Sequence, residues 1–324
     1  MDFHLQFPIP AFYSSLNYSH SLLFVGSCFA ENIGEKMQHF KFNAGINPHG
    51  ILYNPASIAT ALRSYINNMP VKESDLFFAN DCWNSWEHHS RFSHPDKTVC
   101  LTGINNSIEY AHQQLKNAKW LFITFGSAFV YTHIDGNKLT GNCHKIPNSQ
   151  FAKSMLFADE IIKEYTALIT QLNQFNSDLN IVFTVSPVRY IRDGVVENNL
   201  SKAVLIQSVH GLVKQQANAF YFPAYELIID DLRDYRFYKS DLVHPTQQAI
   251  DYVFEKLMDC SFDVETQQLF EKINDLVTAM EHRPFNKDTA AFQKFKATYL
   301  QRAVNIQEAF PFLDLEKEQD YFGS

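Results

Sequence analysis

Ser27 stands in Gly26-Ser27-Cys28-Phe29-Ala30, directly after the apolar run Ser21-Leu22-Leu23-Phe24-Val25. Far downstream, Asp241-Leu242-Val243-His244-Pro245 carries a carboxylate and an imidazole three residues apart. A serine hydroxyl is a weak nucleophile until a base takes its proton, and the base needs a third group to fix its tautomer. Ser27, His244 and Asp241 supply nucleophile, base and orienting acid. If the downstream loop makes one helical turn before Pro245, the Asp241 carboxylate reaches one imidazole nitrogen and leaves the other for Ser27. The chemistry spelled by these residues is acyl transfer.

The setting of Ser27 strengthens that reading. Leu22 to Val25 form a buried strand by pattern, and Phe29, Ile33, Met37 and Phe40 fall on one face of a helix, so Ser27 lies at the junction. The first N–H groups of a helix lack internal partners and sit at the positive end of its dipole, where they can hold an oxyanion. The surrounding letters are not Gly-x-Ser-x-Gly, so the nucleophile elbow of the α/β-hydrolases is not written here. Two plainer readings stand beside this one. Asp241 could serve only to cap a helix starting near Pro245, with His244 at the surface. Cys28 competes as nucleophile at a helix start, although its side chain should project away from Ser27 into packing.

The elements that must position these residues alternate. Helical patterns cover 56–66, 108–115, 158–172 and 201–216, and strand patterns cover 120–125, 180–185 and 220–222. Strands separated by helices imply a parallel sheet covered on both faces, with ligands bound beyond the carboxyl ends of the strands. Ser27, Gly126, Ser186 and the Asp241–His244 loop all follow strands or their connections on that edge. Between 67 and 104 the pattern breaks into a polar, aromatic segment that reads as an insertion or lid.

Several blocks resemble the GSCFA-domain family, which looks like a branch of the SGNH (GDSL-like) hydrolases. They are Gly26-Ser27-Cys28-Phe29-Ala30, Thr124-Phe125-Gly126-Ser127-Ala128-Phe129-Val130-Tyr131, Asn142-Cys143-His144-Lys145, Thr184-Val185-Ser186-Pro187-Val188-Arg189, and Asp234-Tyr235-Arg236-Phe237-Tyr238 followed by Asp241 and His244. The resemblance runs from about residue 20 to residue 257. It implies a flavodoxin-like three-layer α/β/α sandwich with Ser27 in the first block and Asp241 and His244 in the last, and hydrolysis or transfer of acyl groups on sugar or lipid esters.

One block departs from the superfamily. Its third block normally reads Gly-x-Asn-Asp, with the asparagine amide as an oxyanion donor, but Ala128 stands at that place and cannot donate from its side chain. Ser127 and Asn142 are the nearest substitutes, and Gly45 or Gly50 could supply the glycine N–H of the second block; for each of the four a turn or loop cap is the commoner use. For substrate contacts the candidates are His89, which the resemblance reaches together with Trp86, and His144, which with Cys143 could wall the cleft. Arg189 is the third, since arginine forks suit planar anions. Arg189, Arg192, Arg233 and Arg236 nevertheless have Asp193, Asp230, Asp231 and Asp234 beside them for salt bridges. His88, His89 and His94 lack the spacing of a metal site, and no metal or organic cofactor is expected.

Composition sets the remaining bounds. The 324 residues allow a large α/β domain over 1–260 and a helical extension over 261–324. A net charge of −8 argues against nucleic acid and anionic membranes as partners. The opening 1–6 carries no basic or apolar leader, and no apolar run is long enough to span a membrane. Five cysteines without a Cys-x-x-Cys pair fit reduced thiols, hence a cytoplasmic location. After Cys260, Leu269, Phe270, Ile273, Leu276, Val277 and Met280 form an apolar stripe, and Phe292, Phe295, Tyr299 and Leu300 form another after an Arg283-Pro284-Phe285 break. These stripes pack on the main domain or make a homodimer, and the charged 314–320 tail is expected to be solvated. The expected protein is a cytoplasmic serine esterase or acyltransferase. Its alternative is a carbohydrate-binding module that kept the fold and lost activity.

Overall fold

A computed structural model describes residues 5–282, 285, 286 and 288–324. Most of the opening segment and of the 283–285 break therefore lies outside the described residues. The chain begins with β1 (Ser21–Gly26), α1 (Cys28–His39), β2 (Asn43–Ile46) and α2 (Pro55–Asn67). A hairpin of β3 (Leu76–Ala79) and β4 (Cys82–Ser85) leads to α3 (Lys97–Asn117) and β5 (Ala118–Phe125). Then come β6 (Phe129–His133), β7 (Lys138–Thr140), β8 (Phe151–Met155), α4 (Ala158–Phe175), β9 (Asn180–Val185) and α5 (Val195–Gln215). After β10 (Ala219–Tyr221) follow the short α6 (Ala224–Glu226), α7 (Gln247–Ser261), α8 (Val264–Glu281), α9 (Ala290–Ala309) and α10 (Glu316–Gly323).

The central sheet has five strands in the order β10-β9-β5-β1-β2, all parallel. This is the flavodoxin-like order, in which the first strand lies inside the second and the chain then winds outward the other way. Burial on both faces explains why β1 and β5 read as unbroken apolar runs. Alternate side chains go to opposite sides: Leu22, Phe24, Trp120 and Phe122 join one core, and Leu23, Val25, Leu121 and Ile123 join the other. The first core is covered by α1 and α7, the second by α2, α4 and α5 together with the C-terminal half of α3.

The 67–104 segment is not unstructured. It carries the β3–β4 hairpin, and α3 starts within it at Lys97, well before the expected 108; Leu76, Cys100, Ile104 and Ile108 form a small core of their own. A three-stranded antiparallel sheet, β7-β6-β8, was not anticipated. It lies after the carboxyl end of β5 and walls the edge where the candidate residues gather.

The helical extension shares the first core: Leu269, Ile273, Leu276, Ala303 and Phe322 are buried with Phe40 and Phe254. The α8 face that could have served a homodimer is therefore spent within the chain. The charged 314–320 stretch is solvated in part: Asp314, Glu316, Lys317 and Asp320 are exposed as expected, and Glu318 is not. Residues 316–323 form α10, and Glu318 is 1% exposed with Oε1 at 2.7 Å from Lys41 Nζ. That ion pair and buried Phe322 hold the charged segment on the body. Among the described residues, no helix is long and apolar enough to cross a membrane.

Candidate active site

Gly26 closes β1 in a backbone conformation (φ +137) that L side chains rarely adopt, and a Cβ there would stand 2.2 Å from the Thr124 carbonyl oxygen. Glycine is needed because β1 passes against β5 backbone at this point. The turn leaves Ser27 extended (φ −70, ψ 172) as the N-cap of α1, its Oγ accepting from Phe29 N at 3.3 Å while its own N–H donates to Thr124 O at 3.2 Å. The residue is 1% exposed. Cys28, the rival nucleophile, has its thiol pushed up by burial and then by Glu31, which disfavours the thiolate.

The Asp241–His244 pair forms as expected. His244 Nδ1 lies 2.8 Å from Asp241 Oδ2, and Asp241 Oδ1 accepts from His244 N at 3.0 Å and Val243 N at 2.9 Å. These two backbone donors, followed by the imidazole, hold the Asp241 carboxyl well below the usual range. With Nδ1 donating to the carboxylate, Nε2 is the nitrogen free to accept a proton. Asp241 is not the helix cap: α7 starts at Gln247 and Thr246 caps it through Ala249 N. Left-handed Leu242 (φ 58) makes the turn, and Lys239 N donates to His244 O at 2.7 Å.

Two parallel helices bring the halves to one edge. Lys36 of α1 pairs with Asp251 of α7 at 2.7 Å, and Phe40 stacks on Phe254 one turn further along both. Followed back from these contacts toward their N-termini, the helices lead to Ser27 on one and to the His244 loop on the other. No hydrogen bond joins Ser27 Oγ to His244 among the described residues. In ligand-free sites such bonds are often long and tighten only when substrate binds.

The expected oxyanion donors fare differently. Gly50 N–H is spent on Asn47 O at 2.7 Å; glycine is required there by φ +81 and by His89, whose Cβ would lie 2.1 Å from an added Cβ. The Ser127 N–H donates to Tyr53 O at 2.9 Å, beside the Gly126 N–H on the same oxygen at 2.7 Å, so neither is available. Ser127 Oγ accepts from Phe129 N at 3.1 Å. Asn142 uses Oδ1 for His144 N at 2.9 Å and Ser90 Oγ at 3.3 Å, leaving Nδ2 to face a cleft of about 230 Å³ that Ser127, Tyr53, Tyr131 and Arg192 also line.

The three residues expected to contact substrate all make bonds within the protein. His144 is buried, with Nε2 donating to Ser85 O at 2.8 Å and Nδ1 beside Ser90 Oγ at 3.2 Å, so both ring nitrogens serve the loop. The Arg189 guanidinium stacks on Tyr238 at 4.1 Å, its Nη1 donates to Leu242 O at 3.4 Å, and its backbone N–H donates to Val243 O at 3.2 Å. It braces the loop that carries Asp241 and His244. His89 accepts from Arg91 N at 3.2 Å through Nδ1, capping the short turn Ser90–Phe92. Among the described residues, no group of three or more His, Cys, Asp or Glu could hold a metal.

Lys202 escaped the sequence reading. It is 1% exposed on α5, and its Nζ donates to Gly126 O and Ser186 O, both at 2.6 Å, so one ammonium ties the carboxyl ends of β5 and β9 beside Ser27. Burial pushes its pKa down to about 7. The available signal was its spacing: with Asn198, Leu205, Val209 and Leu212 it falls on the buried stripe of α5.

Comparison with known families gives two matches along this chain. The GSCFA family matches residues 21–257, and the C-terminal domain of the GSCFA domain protein matches residues 273–324. No curated protein matches the chain.

Proposed function

The chain belongs to the GSCFA family, and we propose that it works as a serine esterase or acyl hydrolase of SGNH type. The observation that carries this reading is the 2.8 Å contact of His244 Nδ1 with Asp241 Oδ2 at the head of α7, beside the helix that Ser27 caps. Ser27 Oγ attacks the acyl carbon as His244 Nε2 takes its proton. The tetrahedral oxyanion collapses, and His244 returns the proton to the departing alcohol. Water then resolves the acyl-enzyme in hydrolysis, or an acceptor alcohol does so in transfer. Half-exposed Tyr53, whose ring packs beside Gly126, lines the cleft next to the nucleophile. The aromatic and amide lining of the neighbouring cleft suits an acylated sugar or a lipid headgroup ester. Five free cysteines suit a reducing compartment such as the cytoplasm.

A second reading, a binding module without catalysis, draws on the burial of Ser27 and its engagement as a cap. A fluorophosphonate probe separates the two. Labelling of the wild type at Ser27, lost in Ser27→Ala, is the expected result; a wild type that stays unlabelled at Ser27 overturns the esterase reading.

A further inference from the structure

Asn47 follows β2 in a left-handed conformation (φ 42) and is 0% exposed. Its Oδ1 accepts from Gly26 N at 2.8 Å, which fixes the amide plane against the residue that precedes Ser27. Its backbone is held as firmly: the N–H donates to Phe24 O at 2.8 Å, and the carbonyl accepts from Gly50 N and from Arg91 Nη2 of the 67–104 segment. Yet Nδ2 is buried with no hydrogen-bond partner. Buried polar groups are paired in nearly all cases, so an orphan donor clamped beside a nucleophile calls for a ligand. Backbone strain maintained by surrounding bonds is also a mark of functional sites.

Five backbone donors of this edge are committed, and the Asn142 amide, which lines the neighbouring cleft, is the other side-chain donor. Phe29 N goes to Ser27 Oγ, Gly126 N and Ser127 N to Tyr53 O, Ala128 N to Ser201 Oγ and Gly50 N to Asn47 O. We infer that Asn47 Nδ2 is the side-chain oxyanion donor of this site, taking the part that Ala128 cannot play. The inference rests on the serine hydrolase reading. In the step it serves, the Ser27 Oγ bond to the acyl carbon forms, the carbonyl electron pair moves to oxygen, and Nδ2 donates to that oxygen until the alcohol leaves. The held Oδ1 contact keeps the amide from turning, so the donor is in place before charge develops.

Asn47→Asp keeps the acceptor for Gly26 N and tolerates the left-handed backbone while removing the donor when ionised; Asn47→Gly keeps the backbone alone. At pH 8, fluorophosphonate labelling of Ser27 in Asn47→Gly should show a maximal rate lower by about a hundredfold to a thousandfold, with half-saturation unchanged. Should neither variant fold, the wild type still answers: the Asn47 side-chain amide signals in a ¹H–¹⁵N spectrum should shift downfield on forming the phosphonyl adduct. Wild-type labelling rate in Asn47→Gly, or amide signals unmoved in the adduct, overturns the role of Asn47 and leaves the hydrolase standing; Asn47→Asp, whose buried carboxyl can stay protonated and donate, is the conservative comparison. A wild type unlabelled at Ser27 overturns both.

Discussion

His244 Nδ1 and Asp241 Oδ2 are 2.8 Å apart on a loop where both side chains are about half exposed, at 46% and 48%. A contact this open adds little to stability, because water screens it. Its effect is orientational: it commits Nδ1 as the donor and leaves Nε2 free to accept a proton, as the proposed mechanism needs.

Asp241→Asn tests that commitment. Asparagine retains an oxygen for the Val243 and His244 N–H groups but offers a donor to Nδ1, which selects the wrong tautomer. Ser27 labelling should slow by a factor on the order of 10⁴ at an unchanged melting temperature. A rate equal to the wild type would remove Asp241 from the mechanism.

Arg189→Ala separates bracing from binding. If the stacking on Tyr238 and the bond to Leu242 O hold the loop, the maximal labelling rate falls by about tenfold to a hundredfold and half-saturation stays put, since small displacements of a catalytic group are costly. A rise in half-saturation alone would return Arg189 to the substrate.

Lys202→Met bears on pH dependence. The unfolded chain holds the lysine proton up to its ordinary 10.5, whereas the folded chain sheds it near 7. The unfolded state thus binds more protons between those values, and stability rises with pH across that window. Methionine removes this gain and leaves two buried carbonyls without their donor, at about 1–3 kcal/mol each. The melting-temperature gap between wild type and variant should widen from pH 7 to pH 9. A constant or narrowing gap means that Lys202 keeps its charge throughout.

What the chain disclosed about itself follows physical range. β9 is found at 180–185 as read, because its apolar run ends at Ser186-Pro187, and the buried face of α1 is the Phe29-Ile33-Met37 stripe. Both are local patterns of period and punctuation. The β6–β8 sheet was missed because half-buried edge strands such as Phe151–Met155 bury one residue and expose the next three, leaving little alternation. At the site, Asp241 and His244 could be paired from spacing alone. Asn47 and Lys202 could not, since their partners are backbone atoms of Gly26, Gly126 and Ser186 that carry no letter of their own. Gly50 misled for a related reason: a glycine beside a site invites a catalytic N–H, whereas this one is demanded by φ and by the bulk of His89.

The bond between Lys41 and Glu318 ties the first βα unit to the last helix. During synthesis, α1 and β2 leave the ribosome with an ammonium whose counter-charge is translated almost a chain length later. The α1–β2 unit therefore cannot settle its final environment until α10 has been made. Premature stop codons ahead of α10 would yield not a trimmed protein but one with a stranded lysine and an uncovered apolar face, a natural client for chaperones and proteases.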